Sequence, residues 1–301
     1  MTTPEKTPAA NHFDRLLSFT LPGRHARGRI VRLGPVLNRI LAAHDYPAGI
    51  KQLLAEALVL TSLMGGLLKR DTSQLTLQAQ APDGIVRLLV CDYRDGELRG
   101  YVQFDEDRHG TLGSDASLAE VFGSGYLAVT FDLPVTDERY QGIVQLTGTS
   151  LSAAVEAYFA QSEQVPTLIR TSVTVRANSC SAGGLLIQHM AEGEEGQERL
   201  HARAEHPEWD HVAILARSVQ DGELVDPALP LDTLVWRLFH EEPEVRVQPS
   251  TVITRGCRCS LVHFEEVLAR FPKEDRREMQ DENGVILVDC AFCSREFAIQ
   301  D

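Results

Sequence analysis

Four of the six cysteines in this chain stand in two tight pairs close to its end, in RGCRCS (residues 255–260) and DCAFCS (residues 289–294). The pattern is Cys257-x-Cys259, an interval of thirty residues, then Cys290-x-x-Cys293. Four thiolates arranged tetrahedrally are the usual ligand set of a structural zinc site. Two short turns, each carrying a pair, are an economical way to supply them. The second pair has ordinary zinc-knuckle spacing, and the first is one residue tighter than usual. The residues therefore predict one Zn²⁺ per chain, held by Cys257, Cys259, Cys290 and Cys293. A Cys-x-x-Cys alone also suits a thioredoxin-like redox motif, but that motif belongs in a βαβ setting, which is missing here. Nor are these ordinary core cysteines, because Arg255, Arg258 and Ser260 are not core neighbours. Cys91, in an apolar strand pattern, and Cys180, before an apolar run, read as unliganded thiols. His263, the histidine nearest the first pair, reads as a surface helix residue, since four thiolates already complete a tetrahedron.

The elements that would position these thiols are slight. Leu261, Phe264, Glu265 and Leu268 suggest a short helix, KEDRREMQD a polar second one, and Asn283-Gly284 a turn. VILVD and REFAI read as strands on either side of Cys290 and Cys293. A unit of about fifty residues with so few apolar side chains cannot stand on a hydrophobic core. Its folding must lean on metal binding, which contributes an apparent ~10–16 kcal/mol for structural zinc. If oxidation closed each pair on itself, the metal would leave, and loops of a few residues would constrain the unfolded chain only weakly. A disulfide across one intervening residue is also strained and easily reduced again. The terminal unit thus has the makings of a reversible switch.

The rest of the chain reads as an α+β domain over residues 1–190. Val36, Leu37, Ile40 and Leu41 share one helical face. Ile50, Leu53, Leu54, Ala57, Leu58, Thr61 and Met64 mark a longer helix. Strand patterns follow in runs: Leu75, Leu77, Ala79 and Ala81 alternate with polar residues, then IVRLLVCDY, LRGYVQF, LAVTFDL, GIVQLTG, PTLIRTSVTV and GGLLIQHM. Asp83-Gly84 and Asp95-Gly96 are turn signals, and Ser150 or Ser152 caps a helix over AAVEAYFAQSEQ. Strands in runs with helices inserted indicate α+β and not strict alternation. Composition shifts after Met190. Residues 191–247 hold 14 acidic and 5 basic residues, so most of the chain's net charge of −14 sits there. Two apolar stripes cross this segment, Trp209, Val212, Ala213, Ala216 and Val219, then Leu231, Leu234, Val235, Leu238 and Phe239. They are too few to bury one another and should dock on the first domain. Short helices gain their stability from packing, and acidic self-repulsion opposes it, so residues 191–249 read as a marginally stable helical connector. Residues 250–301 complete the chain as the small zinc-binding domain.

The charge repels phosphate backbones, which argues against nucleic-acid and anionic-membrane partners. No stretch reaches the ~18 uninterrupted apolar residues of a membrane span. The lead-in MTTPEKTPAANHF lacks the apolar core of a secretory signal and reads as disordered. The expected compartment is the cytoplasm, where paired cysteines stay reduced.

With length, acidity, GGLLIQHM, LFHEEPEVRV, CRCS and NGVILVDCAFC taken together, the chain resembles the redox-regulated thirty-three-kilodalton heat-shock chaperones of bacteria. The resemblance implies an ATP-independent holdase, inactive when reduced and zinc-bound. Oxidants such as hypochlorous acid, or peroxide with heat, would form Cys257–Cys259 and Cys290–Cys293 disulfides, release zinc and unfold the connector. Apolar surface would then meet unfolded or partly unfolded client proteins, and the active form would be a homodimer. Two other classes stand beside this one. As an enzyme the chain lacks a Walker loop, a Gly-x-Ser-x-Gly elbow and a His-Glu-x-x-His motif, which leaves a thiol-disulfide oxidoreductase using Cys290 and Cys293. As a zinc-ribbon nucleic-acid module it would rely on Arg255, Arg258, Arg276 and Arg277, which Glu265, Glu266, Glu274 and Asp275 offset.

Overall fold

The structure is a computed structural model that describes residues 12–68, 73–111, 116–133, 138–177, 179–190 and 207–300. The charged stretch AEGEEGQER and most of the N-terminal lead-in lie outside the described residues. In chain order, β1 (Arg15–Leu21) and β2 (Ala26–Leu33) form a hairpin, followed by α1 (Pro35–Leu41) and α2 (Ala48–Gly65). Next come β3 (Gln74–Gln80), β4 (Val86–Arg94), β5 (Glu97–Phe104), α3 (Leu118–Phe122), β6 (Tyr126–Leu133) and β7 (Glu138–Gln145). Then α4 (Leu151–Tyr158), β8 (Thr167–Arg176) and β9 (Ser179–His189) precede the connector helices α5 (Pro207–Arg217), α6 (Asp221–Val225) and α7 (Leu231–Phe239). Three two-residue strands follow, β10 (Arg246–Val247), β11 (Thr251–Val252) and β12 (Thr254–Arg255). The cysteine module contains α8 (Leu261–Leu268), α9 (Lys273–Glu278), β13 (Val285–Asp289) and β14 (Glu296–Gln300).

The expected α+β character is present. One sheet runs β10-β1-β2-β9-β8, with β11 also on β1, and the other runs β12-β5-β4-β3-β6-β7. Every pairing is antiparallel except β12 on β5. Asp95 and Gly96 both have positive φ, as the two-residue turn between β4 and β5 requires. Of the two candidate caps, Ser150 is the one used, its side chain accepting from the Ala153 amide.

Helix α2 lies between the sheets, touching β2, β8 and β9 on one side and β3, β4 and β5 on the other. Its apolar residues were expected on one stripe. Instead every residue from Leu54 to Gly65 except half-buried Glu56 is buried, because a helix between two layers has almost no solvent face. By length and composition it is apolar enough to cross a membrane, but here it is the core helix.

The hairpin β1–β2 went unrecognised in the sequence. Its strands are buried on both faces: Leu16, Val31 and Leu33 face the α2 side, while Leu17, Phe19, Leu21 and Ile30 pack with the connector. In β1, RLLSFTL, the adjacent Leu16 and Leu17 break the alternation that marks a half-buried strand, and in β2, ARGRIVRL, Arg27, Arg29 and Arg32 leave too few apolar residues to show one.

Candidate metal centre

The first cysteine pair is delivered by β12. This strand runs parallel to β5, and the Gly256 amide donates to Leu98 O at 3.1 Å. The second pair sits in the loop of the β13–β14 hairpin. Cys290 N–H donates to Arg295 O (2.9 Å), and Cys290 O accepts from the Cys293 and Ser294 amides (3.1 and 2.7 Å). Between the pairs, Ser260 caps α8 by accepting from the His263 amide at 3.2 Å, and His263 is exposed and outside the cluster, as expected.

The four sulfurs lie within 4.8 Å of one another and could hold a metal ion. Cys257 Sγ is 3.3 Å from Cys259 Sγ and 3.6 Å from Cys290 Sγ, and Cys259 Sγ is 3.5 Å from Cys293 Sγ. A tetrahedron with zinc–sulfur bonds of ~2.3 Å has edges of about 3.8 Å, whereas a disulfide is ~2.05 Å long. The separations fit thiolates around one ion, and an all-sulfur donor set suits a soft or borderline metal. Burial works against a Cys257 thiolate, but the Cys259 amide and the three other thiols donate to it and bring it down to about 7. Burial and the neighbouring sulfurs push the Cys259 and Cys290 thiols up. A bound cation would offset this and favour the thiolate forms of Cys259 and Cys290.

Cys91 and Cys180 are free, buried and outside the cluster. Burial raises both thiols, Cys180 to about 11, so neither is a ready nucleophile.

The cysteine module rests on the core through the loop that carries Cys290 and Cys293. Phe292, between the second pair, places its ring 3.9 Å below the Arg99 guanidinium and edge-on to Tyr101 at 4.8 Å. Arg99 is fixed by buried Asp92 at 2.6 Å, which accepts from the Thr76 hydroxyl at 2.7 Å. His44 Nε2 bonds Ala291 O (2.8 Å), Ser294 Oγ donates to Ala43 O (2.6 Å), and Arg258 donates to Gln74 Oε1 (2.7 Å). Sequence reasoning did not single out Phe292, Arg99 or His44. The available signal was an aromatic residue inside a knuckle whose own module buries only Leu268, Ile286 and Ile299 as a cluster.

The connector is seated on the face of the first sheet that turns away from α2. Both predicted stripes are buried, and they pack with Leu17, Phe19, Leu21, Ile30, Leu185 and Ile187 of the first sheet. A polar pin crosses this apolar seam. Arg32, fully buried on β2, donates to Glu223 O (2.9 Å), Leu224 O (2.9 Å) and Leu229 O (2.6 Å). Beside it, Gly183 leaves room for the Leu224 carbonyl, which a Cβ would strike. Glu242, whose side chain is 2% exposed, binds Arg24 of the core and His211 of α5, both at 2.7 Å.

The family model described as "Hsp33 protein" matches residues 14–300. A 33 kDa chaperonin of Caulobacter vibrioides is 36% identical over 294 residues, 95% of this chain and 94% of that protein. A 33 kDa chaperonin of Yersinia pestis is 33% identical over 289 residues, 96% and 92% of the two chains. Among solved structures, the 33 kDa chaperonin of Thermotoga maritima superposes with a TM-score of 0.76 at 22% identity, covering 95% of each chain.

Proposed function

The chain belongs to the Hsp33 family, whose members are molecular chaperones and not enzymes, and from that premise we propose that it is a redox-switched, ATP-independent holdase of the cytoplasm. In this reading residues 1–190 form the client-binding core, 191–249 the metastable connector, and 250–301 the redox switch. Cys257, Cys259, Cys290 and Cys293 hold Zn²⁺ in the reduced form. The bound ion would supply the double positive charge that keeps four thiolates together.

The observation that carries the proposal is the apolar face of the first sheet. Leu17, Phe19, Leu21, Ile30, Leu185 and Ile187 are covered by connector helices tied in sequence to the four-cysteine module. Two equivalents of peroxide would take two electrons from each thiolate pair. Two S–S bonds form, both O–O bonds break, four protons complete four waters, and the ion is released. Pairing as Cys257–Cys259 and Cys290–Cys293, as in the family resemblance, unties one turn from the other. Cross-pairing as Cys257–Cys290 and Cys259–Cys293, whose sulfurs are 3.6 and 3.5 Å apart, would keep them tied. With the terminal module unfolded, the connector loses the folded unit that anchors the chain after it. One or two kcal/mol then shifts a marginal element's population roughly five- to thirtyfold. The uncovered face is apolar surface of the kind that holds an unfolding chain, and it favours homodimerisation. Cys290 and Cys293 lie in a two-stranded hairpin with no βαβ setting, which makes an oxidoreductase the weaker reading.

The test is light scattering of a heat-denaturing client with reduced protein, oxidised protein and oxidised protein treated with a thiol reductant. Zinc and disulfide connectivity are measured on the same samples. Protection should appear only after oxidation, without nucleotide, together with loss of one zinc and within-pair disulfides. Equal protection by the reduced and oxidised forms would make the cysteines merely structural.

A further inference from the structure

The strap between the connector and the cysteine module, residues 246–255, lies on the edges of both sheets. β10 and β11 pair with β1, and β12 pairs with β5. Its hold is slight. Phe19 and Thr20 pair with Val247 and Arg246, while Arg15 and Leu16 pair with Val252 and Thr251, so the register slips by one residue around Pro249. Proline has no amide to give the ladder. Among the strap's side chains only Ile253 is buried; Val247 and Val252 are about half exposed, at 44% and 51%.

The strand underneath is unlike the two strands that end the sheets among the described residues. β8 ends the first sheet, but it carries Arg170 and Arg176, and its Ile169 amide already donates to Glu156 Oε1 at 2.6 Å. β7 ends the second sheet with no further strand beyond it among the described residues, and its sequence ERYQGIVQ opens with two charges and contains a glycine. Such features discourage strand addition. β1 reads RLLSFTL, with no charge after Arg15. An edge of this kind, left open, is a template for another chain, and in the reduced fold it is closed.

We propose that the strap-covered edge of β1 is a strand-addition site for an extended segment of an unfolding client. This rests on the holdase reading, in which both flanks of the strap lose their fold. The strap itself demonstrates the geometry: Asp14 O and Ser18 O accept from the Ile253 and Gln248 amides at 2.8 and 2.9 Å. Residues of an antiparallel strand turn both backbone groups alternately to either neighbour. Leu16, Ser18 and Thr20 therefore face the strap, and Leu17, Phe19 and Leu21 face β2. A client strand here gains main-chain bonds that any sequence can make. Its alternate side chains extend the apolar face that holds Phe19, so apolar segments are favoured without a fixed motif. A continuous seven-residue strand would also replace a strap that pairs in two short patches.

Hydrogen exchange resolved to single amides tests this on the full chain, with reduced and carboxymethylated lactalbumin as a permanently unfolded probe. On oxidation, the Leu16, Ser18 and Thr20 amides should lose protection by roughly tenfold or more, while Leu17, Phe19 and Leu21 stay protected. Adding the probe should restore the first set. A Ser18→Pro variant, lacking one edge donor, should keep its zinc when reduced but hold severalfold less probe when oxidised. Retained protection of the first set on oxidation, or no recovery in a complex that does form, overturns the edge site and leaves the holdase reading intact. Recovery that depends on protein concentration without the probe assigns the edge to a second copy and also overturns the proposal. An oxidised protein that holds no probe overturns both.

Discussion

Arg32 shows how one residue can tie two parts of this molecule together. A guanidinium at the centre of an apolar seam is tolerated because three connector carbonyls accept from it. Burial still lowers its pKa, to about 10, with Asp226 opposing the fall. Arg32→Met would keep the volume and leave those carbonyls without their donor. Unsatisfied buried acceptors cost about 1–3 kcal/mol each, and part of that returns if water reaches them. The expected outcome is weaker connector docking by about 2–4 kcal/mol. The chain's two tryptophans, Trp209 and Trp236, both lie in connector helices. The prediction is a lower temperature for the tryptophan emission shift in the reduced, zinc-loaded protein, with far-ultraviolet dichroism of the sheets unchanged.

At the scale of elements, two of the contacts that tie the cysteine module and the connector helices to the core can be tested singly. The knuckle carries Phe292 onto Arg99 and Tyr101. A cation–π contact and an aromatic edge contact together are worth about 1–3 kcal/mol. Phe292→Ala keeps all four thiols, yet should speed zinc transfer to a competing chelator severalfold; Phe292→Tyr should behave like the parent. An unchanged transfer rate in the alanine variant would show that docking does not support the metal centre. The other contact is Glu242, between Arg24 and His211. Burial pushes its carboxyl up, but hydrogen bonds and charge from Arg24 and His211 outweigh this and hold it below the ordinary range. A depressed folded pKa gives stability that is complete above the unfolded value, about 4.3, and is lost as pH falls through the folded value. Acidification below about pH 4 should therefore loosen the connector in the parent. Glu242→Gln should be looser at neutral pH and lack that acid step, as read from Trp209 emission.

For the whole molecule the decisive property is the unequal size of the apolar clusters, and the proposed metal site would matter most where the cluster is small. The core buries a large cluster around α2, whereas the cysteine module's cluster is Leu268, Ile286 and Ile299. Stripping metal from the reduced protein with a chelator should abolish exchange protection in β13 and β14 while α2, β3 and β9 keep theirs. Uniform loss across the chain would mean that the module is no independent switch. The acidic connector adds a second bias, since its like charges repel one another and are screened by salt.

The two cysteine pairs, the long apolar helix, the strand runs and both connector stripes were legible because each is a local pattern of residue type and spacing. The four-sulfur cluster is of this kind: two short turns each carry two ligands, so the sequence alone nominated Cys257, Cys259, Cys290 and Cys293 as neighbours. Other features depend on partners far away in the chain. The hairpin β1–β2 is covered on both faces and shows no clean alternation. Arg32 looks like any strand arginine until the Glu223, Leu224 and Leu229 carbonyls converge on it from about 190 residues away. Phe292 finds Arg99 in the same manner, across the docking of one unit on another. Local chemistry was thus written in the sequence, while tertiary packing decided which surfaces the connector helices cover, because burial and long-range hydrogen bonds exist only once distant segments have met.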